Sequence, residues 1–241
     1  MKRKNIGAVI LAAGSGRRMG GKLKQFMRVN GKPLVMYSIE SFLKAASIDQ
    51  VLVVVPIEKV IYAKRLIGTY SRDPRISVVS GGKNRRESTY RALAQIISLR
   101  EQGGQLNYIL IHDAARPLIK AEDINRIATA MVKYGGAVGA TPAIDLPLRV
   151  VHGMLIESIP KSDVYYGYTP QGFCLEPLWE AHNQAKRLRR LDPAADNLEI
   201  LRATQSKLPV RIVEIPSAIK VTFPWDIKTV AKLLKQSGSS I

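Results

Sequence analysis

Short apolar runs alternate with longer segments in which apolar residues recur every three or four positions. The runs Ile6–Ala12, Val51–Pro56, Ile76–Val79, Tyr108–Ile111, Ala137–Thr141 and Val210–Glu214 are continuous in Val, Ile, Leu and Ala, as expected of strands covered on both faces. Leu34–Lys44, Glu58–Tyr70, Arg86–Leu99 and Glu122–Val132 carry the helical spacing. Strand and helix in alternation predict an α/β fold, a Rossmann-like doubly wound, mainly parallel sheet. The pattern breaks over about residues 144–170, where β-branched residues and prolines surround a His152-Gly153 turn. That stretch predicts a β-hairpin arm protruding from the sheet, with helical spacing resuming after Thr169. No linker or internal repeat divides the chain, so residues 1–241 are expected to form a single domain bearing this arm.

Length and composition narrow the class. The chain has 241 residues, 46% of them hydrophobic and 23% charged, the values of an ordinary globular protein. No apolar stretch approaches the roughly 18 residues that span a bilayer. The basic start and the Ile6–Ala13 run lead into a glycine-rich turn rather than a cleavage site, which reads as a first buried strand in a cytoplasmic protein. The one cysteine, Cys174, excludes an internal disulfide. A formal charge of +18 favours anionic partners such as nucleotides, sugar phosphates, nucleic acid or a membrane surface. Zinc-finger cysteines and an aromatic RNA-stacking signature are both lacking, and the basic run Lys186, Arg187, Arg189 and Arg190 reads as a solvated helix face.

In doubly wound sheets ligands bind beyond the carboxyl ends of the strands. The first strand ends in Leu11-Ala12-Ala13-Gly14-Ser15-Gly16-Arg17-Arg18-Met19-Gly20, followed by Lys22, Lys24 and Gln25. Small residues allow close backbone approach, and amides in such a turn form an anion-binding concavity. Arg18 and Lys24 add full charges suited to a triphosphate. Gly16 to Lys22 has P-loop spacing, but Leu23 stands where a Ser or Thr should hold a metal. Gly14-x-Gly16 opens a dinucleotide fingerprint, but Met19 replaces its third glycine.

Three further segments carry chemistry. Gly81-Gly82-x-x-Arg85-x-x-Ser88 follows the third strand, where two glycines offer a flat backbone surface to a base. Ser88 can bond a nucleotide or cap the following helix. His112-Asp113-Ala114-Ala115-Arg116-Pro117 follows the fourth strand, and Asp113 is a candidate ligand for Mg²⁺ across a polyphosphate. His112 is assigned to structure. Asp145 follows the fifth strand, Thr169-Pro170-Gln171-Gly172-Phe173 closes the arm, and Ile219-Lys220-Val221-Thr222-x-Pro224-x-Asp226 lies near the end.

The first of these segments resembles the L-A-A-G-x-G-x-R-M-G…K-Q signature of nucleotide-sugar pyrophosphorylases and cytidylyltransferases. With Lys24-Gln25-Phe26 and Gly31-Lys32-Pro33-Leu34, it is most similar to the 2-C-methyl-D-erythritol 4-phosphate cytidylyltransferase family. The G-G-x-x-R-x-x-S, H-D-A-A-R-P, T-P-Q-x-F and K-[IV]-T-x-P-x-D segments of that family recur in order, so the resemblance spans Ile6 to about Leu234. It implies transfer of CMP from CTP to a sugar-alcohol phosphate with release of pyrophosphate, assisted by Mg²⁺ or a similar divalent ion. By this resemblance Arg18, Lys24 and Lys220 act in catalysis. Ala12, Ala13, Gly14, Gly16, Gly81, Gly82, Arg85, Ser88 and Asp113 bind the nucleotide, with Asp113 also the metal ligand. Arg116, Asp145, Lys161 and Thr169 serve the acceptor. The arm implies a homodimer, with neither nucleic acid nor membrane as partner.

The departures from the family pattern gather on the acceptor side. Leu146 stands in place of a threonine, Lys161 of an arginine and Ala218 of an asparagine, and Asp192-Pro193-Ala194-Ala195 replaces a Thr-Asp-[Asp/Glu]-Ala stretch. Ribitol 5-phosphate or another polyol phosphate is therefore the alternative acceptor. Readings of another class are a basic nucleic-acid-binding protein and an inactive nucleotide-binding scaffold.

Overall fold

The computed structural model describes residues 5–187, 192, 195–215 and 219–238. Ala218, Pro193, Ala194, Arg189 and Arg190, singled out above, lie outside the described residues. The strands are β1 (Ile6–Leu11), β2 (Arg28–Val29), β3 (Lys32–Pro33), β4 (Gln50–Val55), β5 (Ile76–Ser80), β6 (Tyr108–Asp113), β7 (Gly136–Pro142), β8 (Leu148–Val151), β9 (Met154–Ser158), β10 (Tyr165–Cys174) and β11 (Val210–Glu214). The helices are α1 (Leu34–Lys44), α2 (Val60–Gly68), α3 (Arg85–Glu101), α4 (Ala121–Tyr134), α5 (Leu175–Ala185), α6 (Asn197–Ala203) and α7 (Asp226–Gly238).

Seven strands form the main sheet in the order β11-β7-β10-β6-β1-β4-β5. Within it, β10 pairs antiparallel with both β6 and β7, whereas the other pairings are parallel. Alternate side chains of the buried strands supply two cores. Ala8, Ile10, Val51, Val53 and Val55 pack with Ile39 and Phe42 of α1, Ile67 of α2 and Ile127 and Met131 of α4. Val9, Leu52, Val54, Ile109, Ile111 and Phe173 pack with Leu93 and Ile96 of α3 and Leu178 of α5. Burial on both faces accounts for the absence of polar alternation in these strands. The expected α/β fold with a mainly parallel sheet is the one observed.

The segment around 165–174 departs from expectation. Thr169 to Phe173 does not close the arm ahead of a helical stretch; it belongs to β10, a central strand, and α5 begins only at Leu175. Gly167, Pro170 and Gly172 hide the strand pattern, and the pairing with β7 shifts register between Gly167 and Gln171. The topology requires the reversal. The chain leaves the carboxyl end of β7, runs through the arm and re-enters the sheet from that same edge, so it can only run back antiparallel. The paired part of the arm is β8–β9, turning at His152 and Gly153, whose φ values of 49° and 80° suit a tight two-residue hairpin turn. Every residue of β8 and β9 is exposed.

A third cluster, Val29, Leu34, Val221 and Val230, packs α7 onto the β2–β3 hairpin and α1. This contact returns the last segment of the chain to the edge where β1 and β6 end.

Candidate active site

The Gly loop leaves β1 with the Ala12 amide donating to the Val54 carbonyl (2.7 Å). It then turns through Gly16 and Gly20, both left-handed at φ 68° and 64°. A side chain at Gly16 would place its Cβ 1.9 Å from the Lys22 carbonyl oxygen, so glycine is required there. Gln25 is buried and donates from Nε2 to the Gly14 carbonyl (3.2 Å), closing the loop, a role that its sequence context alone does not give. Its place in the K-Q pair beside Lys24 was the available signal.

The loop after β5 lies against this turn. A Cβ at Gly81 would stand 2.7 Å from the Ala13 Cβ and 2.9 Å from Ser88 Oγ, so the two backbones meet with no room for a side chain. Ser88 does not cap α3. Asn84 does, its Oδ1 accepting from the Glu87 amide (2.8 Å). The Ser88 hydroxyl, buried, instead accepts from the Gly82 amide at 3.0 Å and fixes the glycine pair.

Asp113 ends β6 at the centre of the site. Its side chain is largely buried, and Lys220 Nζ donates to Oδ2 at 2.6 Å while Arg85 Nε reaches Oδ1 at 3.4 Å. Burial pushes the carboxyl pKa up, but the charges of Arg85 and Lys220, with the hydrogen bond from Lys220 and the field of Arg116, outweigh it and hold the group below the usual 3.8. Lys220 lies 107 residues away in the chain and arrives because Val221 is anchored, its amide donating to the Ala115 carbonyl at 2.8 Å. The Val221 carbonyl accepts from Lys24 Nζ at 2.6 Å. Lys24 therefore stands next to Lys220. Burial first, then the positive charges of Lys220 and Arg18, lower its pKa, and Asp113 and Asp226 oppose the shift.

Below this cluster, β10 supplies the support. The Thr169 hydroxyl accepts from the Asp113 amide (3.0 Å) and lies 3.2 Å from His112 Nδ1, while His112 Nε2 lies 3.1 Å from the Arg116 carbonyl. A carbonyl only accepts, so Nε2 carries the proton and the threonine hydroxyl donates to Nδ1. Burial lowers the His112 pKa to about 4, keeping the ring neutral. The Thr169 hydroxyl thus makes two of the three hydrogen bonds open to it and is buried beneath Asp113. Arg116 lies with its guanidinium carbon 4.9 Å from the centroid of Tyr168, whose hydroxyl shares a 2.8 Å hydrogen bond with Thr141. Tyr168 went unremarked in the sequence, although it immediately precedes the T-P-Q string.

Arg18, Lys24, Arg85, Asp113, Arg116, Thr169 and Lys220 are linked by these contacts, together with the loops carrying Ala12 to Gly16 and Gly81–Gly82. Asp145 and Lys161 are not. Both are exposed at the root of the arm, where Lys161 donates to the Ile144 carbonyl at 3.1 Å. Among the described residues no group of three or more His, Cys, Asp or Glu side chains is arranged to hold a metal by itself. Among them, too, no helix is long and apolar enough to cross a membrane.

Two basic glycine-containing loops converge on one buried carboxylate and two lysines, giving this edge a net positive charge. The sequence profile described as IspD, 2-C-methyl-D-erythritol 4-phosphate cytidylyltransferase, matches residues 6–236. The chain belongs to this family. It is similar to the 2-C-methyl-D-erythritol 4-phosphate cytidylyltransferase of Bacillus mycoides (strain KBAB4), 31% identical over 220 residues, covering 91% of this chain and 93% of that protein. The protein of the same name from Synechococcus sp. (strain WH7803) is 32% identical over 232 residues, covering 95% and 98%. Among solved structures, the 2-C-methyl-D-erythritol 4-phosphate cytidylyltransferase of Thermus thermophilus superposes with a TM-score of 0.70 at 27% identity, covering 96% of this chain and 99% of that one. The 4-diphosphocytidyl-2C-methyl-D-erythritolsynthase of Anaerococcus prevotii DSM 20548 reaches 0.81 at 24% identity, covering 96% of each chain, and shares the fold. Of that family's blocks, the Gly loop, the Gly81–Gly82 segment, the end of β6 and the Lys220 segment meet at one edge of this sheet, while Thr169 to Phe173 runs from there into its centre.

Proposed function

We propose that the chain transfers CMP from CTP to 2-C-methyl-D-erythritol 4-phosphate, releasing pyrophosphate, as a cytoplasmic step of non-mevalonate isoprenoid synthesis. The observation that carries this reading is the meeting of Lys24, Lys220 and Asp113 beside the Gly loop, from three distant parts of the chain. The cytosine and ribose lie against Gly81 and Gly82, and the triphosphate lies in the turn from Ala12 to Gly16. A phosphate monoester has a second pKa of about 6 and is mostly dianionic at neutral pH, so no general base is needed. Its oxygen attacks the α-phosphorus in line; the new phosphorus–oxygen bond forms as the bond to the β-phosphate oxygen breaks, and the electron pair leaves on pyrophosphate. Arg18, Lys24 and Lys220 surround the centre where negative charge grows. Arg116 and Thr169 serve the acceptor end, Lys161 reaches the acceptor phosphate from the arm, and Asp145, also on the arm, accepts from an acceptor hydroxyl.

Asp113, whose Oδ1 is held only by the long 3.4 Å contact with Arg85, would be the carboxylate that holds a divalent ion such as Mg²⁺ beside the triphosphate. Bound there, Mg²⁺ would neutralise charge on the triphosphate.

Pyrophosphate release, coupled to a colour reaction, tests the assignment with CTP and each acceptor in turn. Methylerythritol phosphate is expected to turn over with a kcat/KM at least about tenfold above that for ribitol 5-phosphate, a difference of roughly 1.4 kcal/mol in transition-state binding. A preference for ribitol phosphate would move the acceptor assignment and leave cytidylyl transfer in place. Turnover with neither, joined to salt-sensitive nucleic-acid binding, would overturn both.

The arm supports a homodimer. Leu146, Leu148, Val150, Met154, Leu155 and Ile156 are each more than half exposed, on a hairpin left uncovered by the rest of the described residues. Apolar surface of that extent seeks a partner. Sedimentation is expected to find a dimer, and replacement of Leu148, Val150, Leu155 and Ile156 by serine should yield monomers with much reduced turnover. A wild-type monomer at micromolar concentration would refute this.

A further inference from the structure

The K-[IV]-T-x-P-x-D segment leaves two positions unspecified, and here both are aromatic: Phe223 and Trp225. Their rings stack with centroids 4.6 Å apart and planes 12° from parallel. Phe223 is 36% exposed and Trp225 65%, so burial alone does not explain two large rings at this place. The loop that carries them is held firmly. Asp226 Oδ2 accepts from the amides of Thr222 (2.7 Å) and Phe223 (2.8 Å), and Val221 is fixed between Ala115 and Lys24.

The Arg18 guanidinium carbon lies 5.7 Å from the Phe223 centroid, within the range of a cation–π contact. Arg18 itself is exposed, on a short 3-10 turn with a left-handed glycine on each side, and its own backbone does little to place it. It also shares the site with Lys24 and Lys220, whose like charges repel it. The negative face of an aromatic ring opposes that drift without competing for the phosphate.

We propose that Phe223, braced by Trp225, is a positioning residue that holds the Arg18 guanidinium at the triphosphate site before the nucleotide arrives. This rests on the reading that Arg18 faces the phosphates of CTP. Its value is preorganisation: the guanidinium need not be ordered when charge develops on the leaving pyrophosphate. The role belongs to this chain's own aromatic pair, outside the motif positions themselves.

A double-mutant cycle tests the idea, measuring kcat and KM for CTP by pyrophosphate release. Phe223→Leu keeps apolar bulk and removes the π face; it is expected to lower kcat/KM about three- to tenfold with an unchanged melting temperature. Phe223→Tyr should stay within about twofold of wild type. Trp225→Leu, which removes the brace, should give a smaller loss of the same kind. In an Arg18→Ala background Phe223→Leu should change nothing further. The inference is overturned if Phe223→Leu matches wild type, or if its loss is equally large with and without Arg18. A wild-type protein that releases no pyrophosphate from CTP with any acceptor would instead strike the proposed function, a result separable from the cycle.

Discussion

Lys220→Ala is expected to lower kcat/KM for CTP by about two to three orders of magnitude, the loss typical of removing one preorganised group that stabilises transition-state charge. The geometry argues for an effect of that size. Lys220 Nζ sits 2.6 Å from Asp113 Oδ2, next to Lys24, at the point where the Gly loop and the end of β6 meet. On the proposed function, removing it withdraws a cation from the leaving group; in the free protein it leaves the Asp113 carboxylate less compensated. The fold should persist. The Lys220 side chain is 36% exposed, and Arg85 remains at 3.4 Å to share the charge of Asp113, so a stability loss of only about 1–2 kcal/mol is expected in urea unfolding. Lys220→Arg should recover part of the activity, since it restores charge but with a planar fork in place of a compact ammonium. Activity of Lys220→Ala within a factor of about three of wild type would take this residue out of the mechanism.

Asp113→Asn is expected to have the second largest effect, a fall in turnover of about a hundredfold or more together with a higher Mg²⁺ requirement. The substitution keeps the shape of the side chain and its place above Thr169 but leaves Arg85, Arg116 and Lys220 around an uncharged amide. It also carries a pH signature in the free protein. The folded carboxyl titrates below the 3.8 of an unfolded aspartate, because the surrounding cations outweigh the cost of burial. At pH values well above 3.8 the charge is present in both states and its full contribution to stability is in place. As pH falls below 3.8 the unfolded chain takes up the proton first, and that contribution is lost. The stability gap between wild type and Asp113→Asn should therefore be flat from pH 7 to about 5 and close only under more acid conditions. Urea midpoints at a series of pH values, without nucleotide or metal, measure it. A gap that closes between pH 7 and 5 would mean that Asp113 is not held charged by these partners.

Much of the anion-binding edge was legible because glycine and charge mark it locally. Gly16 occurs where only a left-handed residue without a Cβ fits, Gly81 where two loops touch, and Gly82 where a Cβ would strike the Glu87 side chain of α3. The structure brought Lys24, Asp113 and Arg116 together where strand ends imply a ligand edge, and with them Lys220, which only the family resemblance had placed there. It also placed the buried hydroxyls of Ser88 and Thr169 against the Gly82 amide and against Asp113 and His112. Hydroxyl residues next to a ligand loop look the same in sequence whether they face the ligand or hold the loop. Only the partner settles which, and the partner of Thr169 lies 56 residues away. Asp145 and Lys161 stand at the root of an exposed arm, so their relation to the acceptor depends on what covers that arm.

Taken alone, the amino-acid sequence determined the layered α/β architecture, because strands buried on both faces must be apolar throughout and the helices between them must be amphipathic. It determined the Gly loops too, since backbone conformation near a glycine is a local property. The tertiary structure alone decided that β10 runs backward through the middle of the sheet, that Lys220 finds Asp113, and that Phe223 meets Arg18. The first depends on where the chain re-enters the sheet and on the register it takes there, the other two on Val221 docking against Ala115 and on α7 packing against the β2–β3 hairpin and α1. Those are set by the summed packing of many distant side chains, which no short window of residues contains.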